Sequence, residues 1–217
     1  MTPVHLPTRS IRTGAAALAL ALALAACGGG SKHTSSPNST TPKVLDVKTS
    51  VLKVGSVDIE SAGPSNQIDT ATGRAVLSAA QSYIDNAVFA PLKTGELGRG
   101  YAAIFDAALK PAASGADQAA LTDLSVGKAT GLTTKATPVQ LSALEGTLGE
   151  LMYVATNFDL VVKATGDAGP LTITRHVEMT FAPTGKTWLV TAYRIQAVRK
   201  APTAKPTTTT ATAGTKP

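Results

Sequence analysis

Arg175 is the residue of greatest chemical consequence in this sequence. It shares the apolar side of a strict alternation, Leu171, Ile173, Arg175, Val177, Met179 and Phe181, while Thr172, Thr174, His176, Glu178 and Thr180 point the other way. A buried charge costs several kcal/mol, of order 3–5, unless it is paired. The spacing predicts a rim arginine whose stem lies along the core while its head reaches water. The alternative is a buried guanidinium that meets Asp159, Glu178, Asp85 or a carboxylate on a ligand. His176 and Glu178 share the polar face, but the other two histidines, His5 and His33, lie far upstream, so a metal site is not expected. Tyr83 and Asp85 could move a proton between them if they met, yet two residues apart on a helix they point to different sides. Tyr101, Tyr153, Trp188 and Tyr193 read as packing aromatics with a polar tip near an edge. Arg175, Tyr83 and Asp159 are thus the candidate ligand-binding residues. Cys27 is the only thiol, which excludes an intramolecular disulfide and Cys-based zinc sites.

Other chemistries leave no mark. There is no Gly-x-Ser-x-Gly elbow and no phosphate loop, and Gly95-x-x-Gly98-x-Gly100 has neither the spacing nor the preceding strand of a dinucleotide fingerprint. No catalytic residue and no cofactor are expected. The formal net charge of +6 suggests a polyanion as partner. That surplus sits at the ends of the chain, because Asn66 to Val198 carries ten Lys and Arg against eleven Asp and Glu. With no basic stripe and few aromatics, nucleic acid is not expected as a partner.

The elements that must position these residues follow from periodicity. Val76, Leu77, Ala80, Ile84, Ala87 and Val88 predict an amphipathic helix over 74–90, capped by Thr72 and ended by Pro91. Tyr101–Leu109 reads as a second, short helix. A Ser114–Asp117 capping box predicts a third. Beyond Gly131 the pattern turns to strands: 141–151 in large part, 152–164, 171–182 and 187–199, with turns at Asp167–Pro170 and Thr184–Lys186. Short loops make these strands an antiparallel meander. In the last strand, Trp188, Val190 and Ala192 share one face and Leu189, Tyr193 and Ile195 the other. The predicted class is α+β, with N-terminal helices packed on a curved antiparallel sheet. Residues 70–200 form this domain, and 44–69 an extended segment before it. Residues 27–43 and the Thr/Pro-rich 201–217 lack apolar periodicity and read as a disordered tether and tail.

The N-terminus carries a resemblance. Arg9 and Arg12, the Ala/Leu run from Ala15 and the tetrapeptide Leu24-Ala25-Ala26-Cys27 resemble a bacterial lipoprotein signal with its lipobox. The resemblance implies removal of 1–26, a diacylglyceryl thioether and palmitate on Cys27, and a mature protein tethered to the extracytoplasmic face of a cell membrane. The apolar run is too short to span, whereas two acyl chains at about 0.8 kcal/mol per buried methylene hold stably. The tail resembles the O-glycosylated linkers of secreted actinobacterial proteins.

A second resemblance covers about Thr70 to Val198. A long amphipathic helix, two short ones, then strands that end in Gly185-Lys186-Thr187-Trp188-Leu189-Val190 are similar to the nuclear transport factor 2-like, cystatin-like superfamily. More narrowly, the chain resembles its actinobacterial extracytoplasmic members associated with mammalian-cell-entry transporters. The resemblance implies a cone-shaped fold and a non-catalytic domain, accessory to envelope transport, that binds a small apolar ligand or an envelope protein complex. The superfamily also holds isomerases and cyclases, whose catalytic positions do not map onto this chain, and a lipid carrier is a further alternative. The oligomeric state stays open.

Overall fold

The computed structural model describes residues 45–61, 68–201 and 206–214. The signal, Cys27 and the whole of the tether lie outside the described residues.

The longest helix, α1 (Thr70–Tyr83), starts one turn earlier than its apolar stripe. Asp69 rather than Thr72 is the cap: its carboxylate accepts the Thr72 backbone N–H at 2.7 Å and the Thr72 hydroxyl at 2.9 Å. A carboxylate suits the positive end of the helix dipole better than a hydroxyl does. The Thr72 backbone N–H accordingly holds the Asp69 carboxyl below its ordinary range. Val76, Leu77, Ala80, Ile84, Ala87 and Val88 are buried along one side, as the periodicity predicts, and Tyr83 is buried with them. Pro91 does not end the helix. The chain widens into a π-turn (Ile84–Phe89) and resumes as α2 (Ala90–Thr94). Proline is tolerated in the first turn of a helical segment, where its missing N–H has no partner to lose. The expected second helix shrinks to a 3₁₀ turn, Tyr101–Ile104, after which Phe105 bridges to Val190. Two one-turn helices follow, α3 (Lys110–Ala113) and α4 (Gln118–Leu121), the latter without a side-chain cap.

Seven strands form one open sheet in the order β1-β3-β4-β5-β6-β7, with β2 beside β4. They are β1 (Val54–Ser61), β2 (Thr130–Ala136), β3 (Val139–Glu145), β4 (Leu151–Gly166), β5 (Gly169–Thr184), β6 (Thr187–Lys200) and β7 (Thr207–Gly214). β3 and β2 line successive halves of the same edge of β4, and the break between them falls at Thr137–Pro138. Proline cannot donate to a ladder, so it marks the interruption. The sheet is mixed rather than a pure meander: β1 pairs with β3 in parallel, because all the helices lie in the connection between them. The hairpin between β5 and β6 closes on Gly185, whose φ of +61° a two-residue turn with Gly first requires.

Three further expectations are corrected. Thr207–Gly214 is not a disordered tail but an edge strand, antiparallel to β6, and Ala211 is 2 % exposed. The threonine run resembles a solvated linker in composition, yet β-branched residues suit a pleated surface and one buried alanine was enough to seat it. The core likewise extends upstream to Leu45, Val47, Leu52 and Val54. In β6, Thr191 is an extra residue, since Thr180 faces Ala192 while Phe181 faces Val190. This bulge flips the alternation, so Val190, Tyr193, Ile195 and Ala197 all face the core.

The prediction concerns β7. Ala211→Glu should cost on the order of 3 kcal/mol, the scale of an unpaired buried charge, or detach the strand. Urea unfolding and hydrogen exchange of the Ile195 amide and its β6 neighbours would read either outcome.

Candidate functional site

Pro91 begins the site. Lacking an N–H, it leaves the Ala87 carbonyl without its helical donor. In the π-turn the Ala90 N–H reaches back to Asp85 O. Two freed carbonyls then turn outward to the loops. Ala87 O accepts the Asp123 N–H at 3.0 Å, and Asn86 O accepts the Gly98 N–H at 2.9 Å. The segment after α4 is thereby docked on the helix with the Asp123 side chain aimed at the sheet.

Arg175 meets it there. The guanidinium is fully buried, not at a rim, and its partner is Asp123 rather than Asp159, Glu178 or Asp85. Nε donates to Asp123 Oδ2 at 3.2 Å, and Nη2 lies 2.8 Å from Oδ1 in a contact too bent for a directed hydrogen bond. Nη1 donates to Ala120 O at 3.0 Å, to Leu121 O at 3.3 Å and to the Tyr83 hydroxyl at 3.2 Å. Tyr83 in turn donates to Leu121 O at 2.7 Å. A second arginine closes the cluster: Arg199 binds Asp123 Oδ1 through Nε (3.0 Å) and Nη2 (2.9 Å), Thr122 O through Nη2 (2.6 Å) and Thr209 Oγ1 through Nη1 (2.9 Å). One carboxylate therefore ties β5, β6 and β7 to the helical side.

The electrostatics fix the protonation states. Burial pushes the Tyr83 phenol up although Arg175 pulls it down, so Tyr83 is a hydroxyl donor and no base. Burial alone would lower Arg175, but the Tyr83 oxygen and the Asp123 carboxylate outweigh it and keep the guanidinium charged. With Arg175 Nε and Nη1 donating to protein acceptors and Nη2 held in the ion pair, the cluster works as a clamp.

Of the three candidate ligand-binding residues, the structure unites Tyr83 and Arg175 and separates Asp159. Asp159 opposes His176 on β5, one residue out of step with the Leu160–Arg175 pair, so it points to the outer face of the sheet. Asp85 accepts from Gln81 Nε2 at 2.9 Å and takes no part. Asp123 was illegible in advance: it is one acid in a loop, 52 residues from Arg175, and only its apolar setting between Leu121 and Leu124 hints at burial. Tyr101 and Tyr193 are buried aromatics whose hydroxyls donate to Ala113 O (2.8 Å) and Asp117 Oδ2 (2.7 Å), and burial raises both phenols.

On the outer face, His176 Nδ1 lies 2.8 Å from Asp159 Oδ1 and Nε2 lies 3.1 Å from Glu178 Oε1. Both nitrogens can donate only in the imidazolium. Asp159 chiefly raises the His176 pKa above its ordinary value of 6.5. The two carboxylates flank the ring on opposite sides and do not converge on one point. Among the described residues no group of His, Cys, Asp and Glu could hold a metal ion.

No protein-family model, curated protein or solved structure matches this chain.

Two predictions follow from these clusters. Asp123→Asn leaves the buried Arg175 and the largely buried Arg199 without a countercharge and should cost about 3–5 kcal/mol in urea unfolding, whereas Asp123→Leu combined with Arg175→Met and Arg199→Met should recover most of that loss. The His176 contribution is fully present below pH 6.5 and fades as pH rises through the raised folded value. The ring is 42 % exposed, so solvent screening limits it to roughly 0.5 kcal/mol. His176→Gln should therefore be less stable than the parent at pH 5 and equal to it at pH 9; a gap of the same size at both would contradict the assignment.

Proposed function

We propose that this chain is a lipid-anchored protein of the extracytoplasmic membrane face, held by acyl chains on Cys27. Its domain, a cystatin-like cone of the nuclear transport factor 2-like type, binds a small apolar ligand or a partner protein without catalysis and serves an envelope transport system. The anchor rests on the Leu24-Ala25-Ala26-Cys27 tetrapeptide behind a short apolar run. Among the described residues no helix is long and apolar enough to cross a membrane, so the reading leans on that thioether.

The observation that carries the binding role is how the space between helix and sheet is used. Tyr83, Phe105, Phe158, Phe181 and Leu160 fill it, and Arg175 spends Nε and Nη1 on protein acceptors and Nη2 on the ion pair with Asp123. A filled interior favours an interaction module over a carrier, which needs a long apolar cavity. An isomerase-type site would set a carboxylate and a tyrosine around a substrate. Here Tyr83 and Asp123 converge on Arg175 at 0 % exposure instead.

Expression in an actinobacterial host with a labelled fatty acid tests the anchor. The parent should take up label and sediment with membranes, and Cys27→Ser should do neither. An unchanged mass and equal retention for Cys27→Ser would overturn the reading. Native mass spectrometry of the parent released from its own membranes should then retain a ligand or a partner subunit.

A further inference from the structure

The second half of α1 does not pack tightly against the hairpin between β5 and β6. A cleft of about 440 Å³ separates them, within the roughly 300–1,000 Å³ typical of small-molecule sites. One wall is a helical row, Ala75, Ser78, Ala79 and Ser82, in which no side chain is larger than a hydroxymethyl group. The other carries Trp188, the only tryptophan of the chain, half-buried and with Thr187 beside it. Ile104 and Ala103 add apolar surface between the two.

The cleft is held open by its frame. Asn86 Nδ2 donates to Ser82 O at 2.8 Å, and Asn86 Oδ1 accepts the Gly100 N–H at 3.1 Å. Together with the Gly98-to-Asn86 backbone bond, these staple the Gly98–Gly100 loop onto the π-turn. The approach is so close that a Cβ on Gly98 would stand 2.8 Å from the Asn86 Cα. On the far side the two-residue turn fixes the backbone before the half-buried Trp188, and the exposed Lys186 stands at the lip. A rigid gap between a flat indole and a smooth wall of methyl and hydroxymethyl groups suits a flat ring, which stacks on the indole without meeting a projecting side chain. Lys186 is the only charged residue among those lining the cleft. A cation at the lip of an otherwise neutral, largely apolar slot favours a ligand with one anionic substituent.

We propose that this cleft is a binding site for a small planar ring compound bearing a single carboxylate or similar anion, stacked on Trp188 and paired with Lys186. The inference rests on the ligand-binding reading above and deepens it. It places the ligand outside the buried Arg175 cluster and gives it a charge.

The sole tryptophan reports on the site directly. Titrating the full-length chain with 2-naphthoate should quench Trp188 emission saturably, and the neutral analogue 2-naphthalenemethanol should bind more weakly. Lys186→Glu should weaken the naphthoate about tenfold or more, the scale of one charge-assisted contact, and leave the alcohol unaffected. Ala79→Phe should fill the slot and abolish both. Unfolding midpoints close to the parent's, read by circular dichroism, would show that each variant folds. Should Ala79→Phe misfold, Lys186→Glu decides alone. Absence of saturable quenching, equal affinity for acid and alcohol, or indifference to Lys186→Glu would each overturn the proposal. Recovery of a partner subunit with the native protein, together with no naphthoate binding, would sink the cleft and spare the broader reading.

Discussion

The burial of one charge orders the rest of this domain. Arg175 lies on the core side of the central strand, where a guanidinium cannot stay unless a carboxylate comes to it. Asp123 is brought by a chain of causes that starts with a proline. Pro91 withholds an N–H, the helix widens, Ala87 O is left free, and the Asp123 amide takes it. Arg199 and Thr209 then enlist β6 and β7 in the same cluster. Such a cluster adds little net stability relative to a well-packed apolar core. Its effect is to make alternatives costly, because a slip of β5 by one residue would strand the charge on one side and His176 on the other.

Much of this architecture is legible in the sequence, for physical reasons that also mark where legibility ends. The alternation through β5 gives both faces of the strand and singles out Arg175, because a period of two leaves no choice of side. The apolar stripe of α1 is equally plain. The interruption at Pro91 reads as a stop because local sequence carries no sign that distant amides, those of Gly98 and Asp123, will take up the freed carbonyls. The partner of Arg175 is hidden for the same reason: a carboxylate in a loop has no periodicity, and its burial is set by tertiary contacts. The Thr207–Gly214 strand shows the reverse error. Its composition resembles a solvated linker, yet an open sheet edge and one buried alanine suffice to order it. In β6 the bulge at Thr191 moves Tyr193 to the face opposite the one that strict alternation assigns.

The two faces of the sheet divide the labour. The inner face holds the aromatic core and the ion cluster, and is closed. The outer face is a polar field of Asn157, Asp159, His176, Glu178, Arg194 and Gln196, the pattern of an antiparallel sheet with one side in water. The proposed recognition site lies at the periphery, where helix and hairpin part beside Trp188, apart from the buried Arg175 cluster.

The clamp is tested most directly by native-state hydrogen exchange of one amide. If Asp123 joins helix to sheet as described, its N–H, bonded to Ala87 O, exchanges only when the whole domain unfolds, with a free energy and a denaturant dependence equal to those of the β5 amides around Arg175. Fast exchange of that amide through a local opening insensitive to denaturant would contradict the account.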